Sequence, residues 1–320
     1  MLNIAIVTGG PSAERGISLK SAGLIEKYLD PDKYSYRTII LEDAGWIEKT
    51  SGQAVDMNDF SLSIGGNKTR FDFAFFIIHG TPAEDGKLQG YFEFLGIPHS
   101  TCHTLSAALT FNKQKCKDFL KAYDIPMAPS VLIRSTSQSD LDLARSVGFP
   151  VFVKPNNNGS SYGISKVSEP AELEAALDKA FRYDHEVIVE AFLDGTEYSS
   201  GVVKEGDQLH AFPITEIIPE GEFFDYEAKY EGASQEITPA NLSEEEAEKC
   251  KVLSKRLYQI LDCRGMVRFD YIRVDARFYL LEANTIPGLS EASIIPQQAI
   301  AYGWSISKLL DVVIQDCMGT

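Results

Sequence analysis

The sequence predicts an α/β protein that becomes α+β in its C-terminal part. Three observations carry this. Apolar runs at residues 3–7, 36–41 and 71–78 alternate with helical apolar spacing at 17–29 and 88–95, the pattern of a parallel sheet covered on both faces. A second set of short strands and helices fills residues 103–190. The last third carries consecutive strands, a long helix and the hairpin MVRFDYIRVDARFYLLEAN at 266–284. At roughly 150 residues per domain the length alone suggests two units. The changes of pattern favour three instead: 1–102, 103–190 and 191–320.

In chain order, the first strand runs into the turn GGPSAERG. Gly9, Gly10, His79 and Gly80 fall at strand carboxyl ends, where parallel sheets place their ligands. The helix at 88–95 is closed by Gly96 and Pro98. One continuous helix is predicted over 104–123, ended by Pro126 and Pro129, with a strand at 131–133. Ser137 and Asp140 fit a capping box opening a helix over 137–147. The strand at 151–154 empties into PNNNGSSYG, and a helix at 171–180 and a strand at 187–190 follow. Strands at 197–203 and 210–214 precede an irregular stretch, 219–239, long enough to act as a lid. Ser243 and Glu246 cap a helix reaching Leu261, and two helices follow the hairpin.

Composition narrows the function. With 44% hydrophobic and 24% charged residues the chain is ordinary globular material, neither collagen-like, coiled-coil nor disordered. Thirty basic against 46 acidic residues give a net charge of −16. Such a surface repels phosphate backbones and anionic lipid, and no basic patch offsets it, so neither nucleic acid nor membrane is expected as a partner. No apolar stretch reaches the ~18 residues of a membrane span. The N-terminus lacks a basic n-region and reads as a first strand. Five widely spaced cysteines without a CxxC read as free thiols in a reducing cytoplasm, and not as a zinc site. The expectation is a soluble cytoplasmic enzyme.

The hairpin carries the sharpest chemistry. Arg268 and Asp270 share one face of its first strand, Glu282 and Asn284 one face of its second. A turn centred on Ala276 would set 268 opposite 284 and 270 opposite 282. Two carboxylates placed so are destabilising unless a cation lies between them. An Asp, a Glu and an Asn carbonyl are all oxygen donors, which suits Mg²⁺ or Mn²⁺. The alternative is a solvated hairpin face.

Other stretches gain meaning beside it. VKPNNNGSSYGIS puts Lys154 at a strand end before Gly159 and Gly163, like a phosphate cradle, though it is neither a Walker loop nor GxGxxG. A plain surface loop is the alternative. EAFLDGTEY offers Phe192 and Leu193 between two strands, either to grip an adenine ring or as an ordinary hairpin. In the acidic stretch PEGEFFDYEAKYEGASQEITP, Lys229 is the only cation, followed by Tyr230. Glu14 either fixes a substrate ammonium or caps a helix. His79 is either catalytic or structural. Lys113, Lys115 and Lys117 look mostly like a solvated helix face, the remaining histidines show no metal-ligand spacing, and no GxSxG elbow is present.

Together GGPSAERGISL, HGTPAEDGKLQG, FNKQKCK, KPNNNGSSYGIS, VEAFLDGTEY, DYEAKY, VRFD and LEANTIPGLSEAS, in this order over nearly the whole chain, resemble the ATP-grasp superfamily and, within it, the D-alanine–D-alanine ligase family. The resemblance implies a three-domain ATP-grasp fold with an N-terminal parallel-sheet domain. It implies that Lys113 and Lys154 hold the α- and β-phosphates of ATP, that Glu190, Ala191, Phe192 and Leu193 receive adenine, and that Glu197 takes the ribose hydroxyls. Lys229 would contact the phosphates being split, with Ser160 also on the ATP side. Asp270, Glu282 and Asn284 would hold two Mg²⁺ ions, with Mn²⁺ as a substitute. Glu14 would bind the first D-alanine's ammonium, linked through Ser160 to Tyr230, with His79 beside the substrate. Arg268 and Gly288 would form the oxyanion site and Ser293 would receive the second D-alanine's carboxylate. The implied reaction ligates two D-alanines at the expense of ATP through D-alanyl phosphate, for peptidoglycan precursors, and the family suggests a homodimer.

Two departures stand out: TPAEDG, where the family usually has a Gly before the Glu-Asp pair, and Tyr162 in place of a small aliphatic residue. The Lys229–Tyr230 pair favours the dipeptide. A ligase for D-lactate or D-serine, and a nucleotide-binding regulator without turnover, are the competing readings.

Overall fold

The computed structural model describes residues 1–42, 45–159, 162–219 and 234–319. Its first sheet is built on β1 (Leu2–Gly9), which pairs in parallel with β2 (Tyr34–Glu42) and with β7 (Phe73–Ile77). The six residues that end β1, and every residue of β7, are buried, as strands covered on both faces must be. The covering helices are α1 (Arg15–Tyr28) and α2 (Lys87–Leu95). One departure is β3 (Gly45–Glu48), antiparallel on the outer edge, so the sheet is mixed. Another is a small antiparallel sheet of β4 (Val55–Asp56), β5 (Ser61–Ile64) and β6 (Asn67–Thr69). Strands this short leave no readable alternation in sequence.

The expected helix over 104–123 is two helices. α3 (Thr104–Phe111) stops at Asn112, whose backbone is extended, and α4 (Lys113–Leu120) restarts there, with the Asn112 side chain accepting from Lys115 N–H at 2.9 Å. An Asn that caps the next helix breaks the first without disturbing apolar spacing. The kink turns Lys113 away from the solvated face.

Two antiparallel sheets follow. The smaller is ordered β10 (Ser165–Val167), β9 (Val151–Pro155), β11 (Val187–Ala191), β8 (Ser130–Ile133), and is covered by α5 (Gln138–Arg145) and α6 (Leu173–Ala180). Of the expected box on α5, only half forms. Ser137 accepts from Asp140 N–H, but the Asp140 carboxylate turns to the hydroxyl of Ser135 at 2.7 Å. The larger sheet runs β15 (Ser234–Ile237), β14 (Thr215–Pro219), β12 (Thr196–Glu205), β16 (Met266–Val274), β17 (Arg277–Asn284), with β13 (Gln208–Ala211) also on β12. Strand β15 lies inside the stretch 219–239 that the sequence marked as irregular, and is held there by its pairing with β14. α7 (Glu244–Ile260) carries both halves of its capping box, and α8 (Ile294–Ala301) and α9 (Ile306–Met318) close the chain. α9 packs its apolar face into the same core as β1 and β7, which ties the chain's end to its beginning. All five cysteines are buried free thiols.

Candidate active site

The two antiparallel sheets bound a cleft that holds two cavities. The first, about 510 Å³, is framed by Phe152, Lys154, Glu190, Ala191, Phe192, Leu193 and Glu197, with Asp270, Leu281 and Glu282 from the hairpin. The second, about 270 Å³, is lined by Glu14, His79 and Glu84 from the N-terminal unit and by Arg268, Asn284, Gly288 and Ser293. They meet at Lys113, Asn158, Gly159 and Glu282, which line both.

The hairpin supplies the junction. Arg268 lies opposite Asn284 and Asp270 opposite Glu282, the register expected from sequence, although the turn is tighter than a centre on Ala276 implies. Val274 pairs with Arg277, and a bulge beside Asp270 takes up the difference. The extra residue is Leu281, which the bulge brings to line the first cavity with Ile217, Ile218 and Ile272. Alternation alone would have placed Leu281 on the far face.

Asp270 is buried and accepts from Ser199 Oγ at 2.7 Å, Asn284 Nδ2 at 2.8 Å and Arg268 Nη2 at 2.9 Å. Lys113 Nζ stands 3.8 Å from Glu282 and donates to the Asn158 carbonyl at 2.6 Å. Arg268 and Lys113 thus balance the facing carboxylates. The oxygen donors of Asp270, on the first cavity, Asn284, on the second, and Glu282, on both, fit the requirements of Mg²⁺ or Mn²⁺.

On the smaller sheet, Lys154 and Glu190 are diagonal neighbours on one face, β9 and β11 pairing Lys154 with Ile188 and Phe152 with Glu190. Glu190, only 3% exposed, sits between Lys154 Nζ and Lys117 Nζ, the latter at 2.6 Å. Burial raises a carboxyl's pKa, but the two ammonium groups overcome it and hold Glu190 down at about 2. Lys154 stays above its ordinary value, since Glu190 and the more distant Glu282 and Glu197 outweigh its burial. Lys117 falls below its ordinary value, because burial and the neighbouring Lys154 outweigh its share of Glu190. Glu190's carboxylate anchors two lysines, and the residue also lines the first cavity, where the resemblance places adenine. One correction follows. Lys117 is buried in that triad and not on a solvated face, while Lys115 is exposed as expected. Sequence reasoning missed Lys117, though it follows Lys113 by one helical turn. Phe192 packs 5.8 Å from Phe152 and carries Lys166 Nζ 4.4 Å over its ring.

In the second cavity, Gly9 and Gly10 both take left-handed φ, +89° and +93°, and a Cβ on either would meet Leu41 O or Ile78 at 2.7 Å. That turn places Glu14 as the N-cap of α1, yet its carboxylate makes no cap hydrogen bond and lines the cavity. The capping alternative for Glu14 is therefore set aside. His79 is pinned by its backbone, accepting from Ser12 Oγ at 2.7 Å and donating to Ser18 Oγ at 3.1 Å. Its Nδ1 faces Glu84 at 3.9 Å and its buried Nε2 has no partner among the described residues. Burial and the nearby Glu14 raise Glu84 above the usual carboxylate range against the opposing pull of His79. Ser293 stands at the N-cap position of α8 without a side-chain cap bond; its Oγ accepts from Ser290 N–H at 3.0 Å, and a Cβ on Gly288 would lie 2.9 Å from that oxygen. Glu236 of β15, not singled out in the sequence, also lines this cavity, and burial raises its pKa against the pull of Arg268. Ser160, Lys229 and Tyr230 lie outside the described residues.

One more group comes together where the histidines showed no ligand spacing: Glu93, His99 and His103. Glu93 accepts from Thr104 N–H at 3.0 Å and Oγ1 at 2.7 Å, and Arg264 Nη1 lies 2.7 Å from His103 Nε2. The group ties α2 to α3 and to the turn before the hairpin.

Two cavities meeting at a lysine and a carboxylate, between a parallel-sheet unit and two antiparallel sheets, define a protein of the ATP-grasp class. The D-ala D-ala ligase N-terminus family matches residues 3–102 and the D-ala D-ala ligase C-terminus family residues 119–315. The chain belongs to the D-alanine–D-alanine ligase family. A D-alanine–D-alanine ligase of Flavobacterium johnsoniae is 46% identical over 319 residues, covering 98% of this chain and 99% of its own. Among solved structures, D-alanyl-alanine synthetase A of Vibrio cholerae superposes with a TM-score of 0.90 at 28% identity, over 100% of this chain and 99% of its own. A D-alanine–D-alanine ligase of Bacillus anthracis complexed with ATP gives 0.80 at 28% identity, over 100% and 98%. Among the described residues, no helix is long and apolar enough to cross a membrane.

Proposed function

We propose that this protein joins two D-alanine molecules with ATP, releasing ADP and phosphate and supplying the dipeptide for peptidoglycan precursors in the cytoplasm. The observation that carries the reading is the junction of the two cavities at Lys113 and Glu282, which sets a nucleotide-sized cavity end to end with a small polar one. The family and the ATP-bound relative support ATP as co-substrate.

In this reading Phe192, Leu193 and Leu281 grip adenine, Glu197 takes the ribose, and Lys113 and Lys154 hold phosphates, with Glu190 fixing Lys154 in place. Asp270, Glu282 and Asn284 hold Mg²⁺, which when bound neutralises phosphate charge. Glu14 orients the first D-alanine by its ammonium, with His79 beside it. Its carboxylate is a poor acyl donor because the leaving group would be oxide; phosphorylation replaces that with phosphate. Arg268 and the Gly288 N–H stabilise the tetrahedral oxyanion as the second amine attacks, and Ser293 holds the acceptor's carboxylate. The family pattern assigns Lys229 to the phosphates being split and Ser160 and Tyr230 to a network with Glu14, residues outside those the structure describes. The three units would divide near residues 102 and 190. A homodimer fits the neighbouring Phe94 and Leu105, 88% and 77% exposed, beside the Glu93–Thr104 contact.

The test is phosphate release from ATP and Mg²⁺ with D-alanine, with L-alanine and with neither, with the product identified by mass. Release that requires D-alanine and yields the dipeptide supports the reading. Nucleotide binding without turnover on any D-amino or D-hydroxy acid would favour a regulator.

A further inference from the structure

If both substrates are amino acids, one cavity has to hold two ammonium groups, and apart from Glu282 at the junction this cavity has two acidic poles. Glu14 and Glu84, beside His79, form one on the N-terminal wall. Glu236 forms the other, on the wall that also carries Arg268, Gly288 and Ser293. It stands on β15 opposite Ile217 of β14, on a strand paired into the larger sheet.

Glu236 is poorly compensated for a partly buried carboxylate. Its hydrogen bond among the described residues is a long one, 3.4 Å, from the side-chain amide of Gln297. That amide also donates to the Ala292 carbonyl at 2.8 Å, the better contact of the two. Arg268 attracts Glu236 electrostatically but directs Nε and Nη2 at Asp270. A carboxylate left so in a cavity calls for a cation or a strong donor. On the same wall the Ser293 hydroxyl, at the N-terminus of α8, suits a negative group. An amino acid laid along that wall, carboxylate toward Ser293 and ammonium toward Glu236, would satisfy both.

We infer that Glu236 binds the ammonium group of the acceptor amino acid and thereby selects an amine over a hydroxyl in the second subsite. The inference rests on the proposed ligase reaction and adds to it a specificity-determining residue. A D-2-hydroxy acid offers Glu236 a single hydrogen bond from an uncharged donor, where the ammonium of the amino acid adds the Coulomb attraction of an ion pair in a partly buried site. The signal in sequence is slight, a single Glu in SQEITP after the Lys-Tyr pair.

The experiment compares wild type, Glu236→Gln and Glu236→Asp by initial rates over a wide D-alanine range, which separates the donor-site KM from the acceptor-site KM. D-lactate is run as a competing acceptor, with products read by mass. For Glu236→Gln the acceptor KM should rise roughly tenfold or more, with donor KM and ATP KM unchanged. The ratio of D-alanyl-D-lactate to dipeptide should rise with it. Glu236→Asp keeps the charge on a shorter arm and should fall between the two, which maintains the test if the glutamine variant does not fold. An unchanged acceptor KM and product ratio in both variants would overturn the inference, as would equal rises in both KM values. Failure of the wild type to make dipeptide would instead sink the ligase reading, independently of Glu236.

Discussion

Replacing Lys117 with methionine, of similar length, tests whether the Glu190 triad supports the nucleotide cavity. Lys117 is 6% exposed, and the ammonium lost donates to Glu190 at 2.6 Å and to the Ala128 carbonyl at 2.7 Å. The two lysines together hold Glu190 from the ordinary 4.5 down at about 2. At about 1.4 kcal/mol per unit, the Glu190 shift contributes at most roughly 3 kcal/mol of stability near neutral pH, part of it offset by burial of the Lys117 ammonium, whose own pKa is lowered. Because the folded pKa is depressed, that stability is present above about 4.5 and is lost as pH falls toward about 2. With Lys154 alone as partner, Glu190 should retain only part of it. Thermal melts should therefore place Lys117→Met about 2–5 °C below wild type at pH 7. The gap should narrow at pH 3, where the variant's Glu190 takes up its proton on either side of unfolding. Nucleotide affinity, by calorimetry, should fall because Lys154 loses its fixed position. A gap under about 1 °C at pH 7, or one of equal size at both pH values, would refute the reasoning.

Other perturbations separate the parts of the site. Asp270→Asn should lower turnover on the order of 10²–10³-fold and raise the Mg²⁺ concentration needed for half-maximal rate, with an unchanged circular dichroism spectrum. Leu281→Ala should raise the ATP KM roughly fivefold, about 1 kcal/mol of apolar contact, and leave both D-alanine KM values alone. Gly288→Ala puts a methyl group 2.9 Å from Ser293 Oγ, so acceptor KM should rise roughly tenfold in steady-state assays while ATP KM stays fixed.

The hairpin was legible because alternation in a short antiparallel pair puts side chains on a definite face, and a carboxylate facing a carboxylate needs an explanation. That reasoning reached Asp270, Glu282, Arg268 and Asn284 in register, yet missed Leu281. A bulge leaves no mark on alternation until the turn length is known. The break at Asn112 was hidden for a similar reason, since apolar spacing continues through it while the backbone does not. Hence Lys113, Lys115 and Lys117 looked alike in sequence, although one lines both cavities, one is in solvent and one is buried against Glu190. Glu236 was invisible because its strand is held by pairing with β14, a tertiary contact, and its own four residues carry no pattern. The edge strands at 45–69 were too short to read, whereas β1 and β7, buried on both faces, were plain from their apolar runs.

The central claim is that the cleft activates a carboxylate by phosphorylation where its two cavities meet. The most direct measurement is oxygen transfer: D-alanine labelled with ¹⁸O in its carboxylate is turned over with ATP and Mg²⁺, and the released phosphate is weighed. The account predicts one labelled oxygen in the phosphate for each dipeptide formed, and no labelled phosphate when D-alanine is left out. Dipeptide formed with unlabelled phosphate would contradict it.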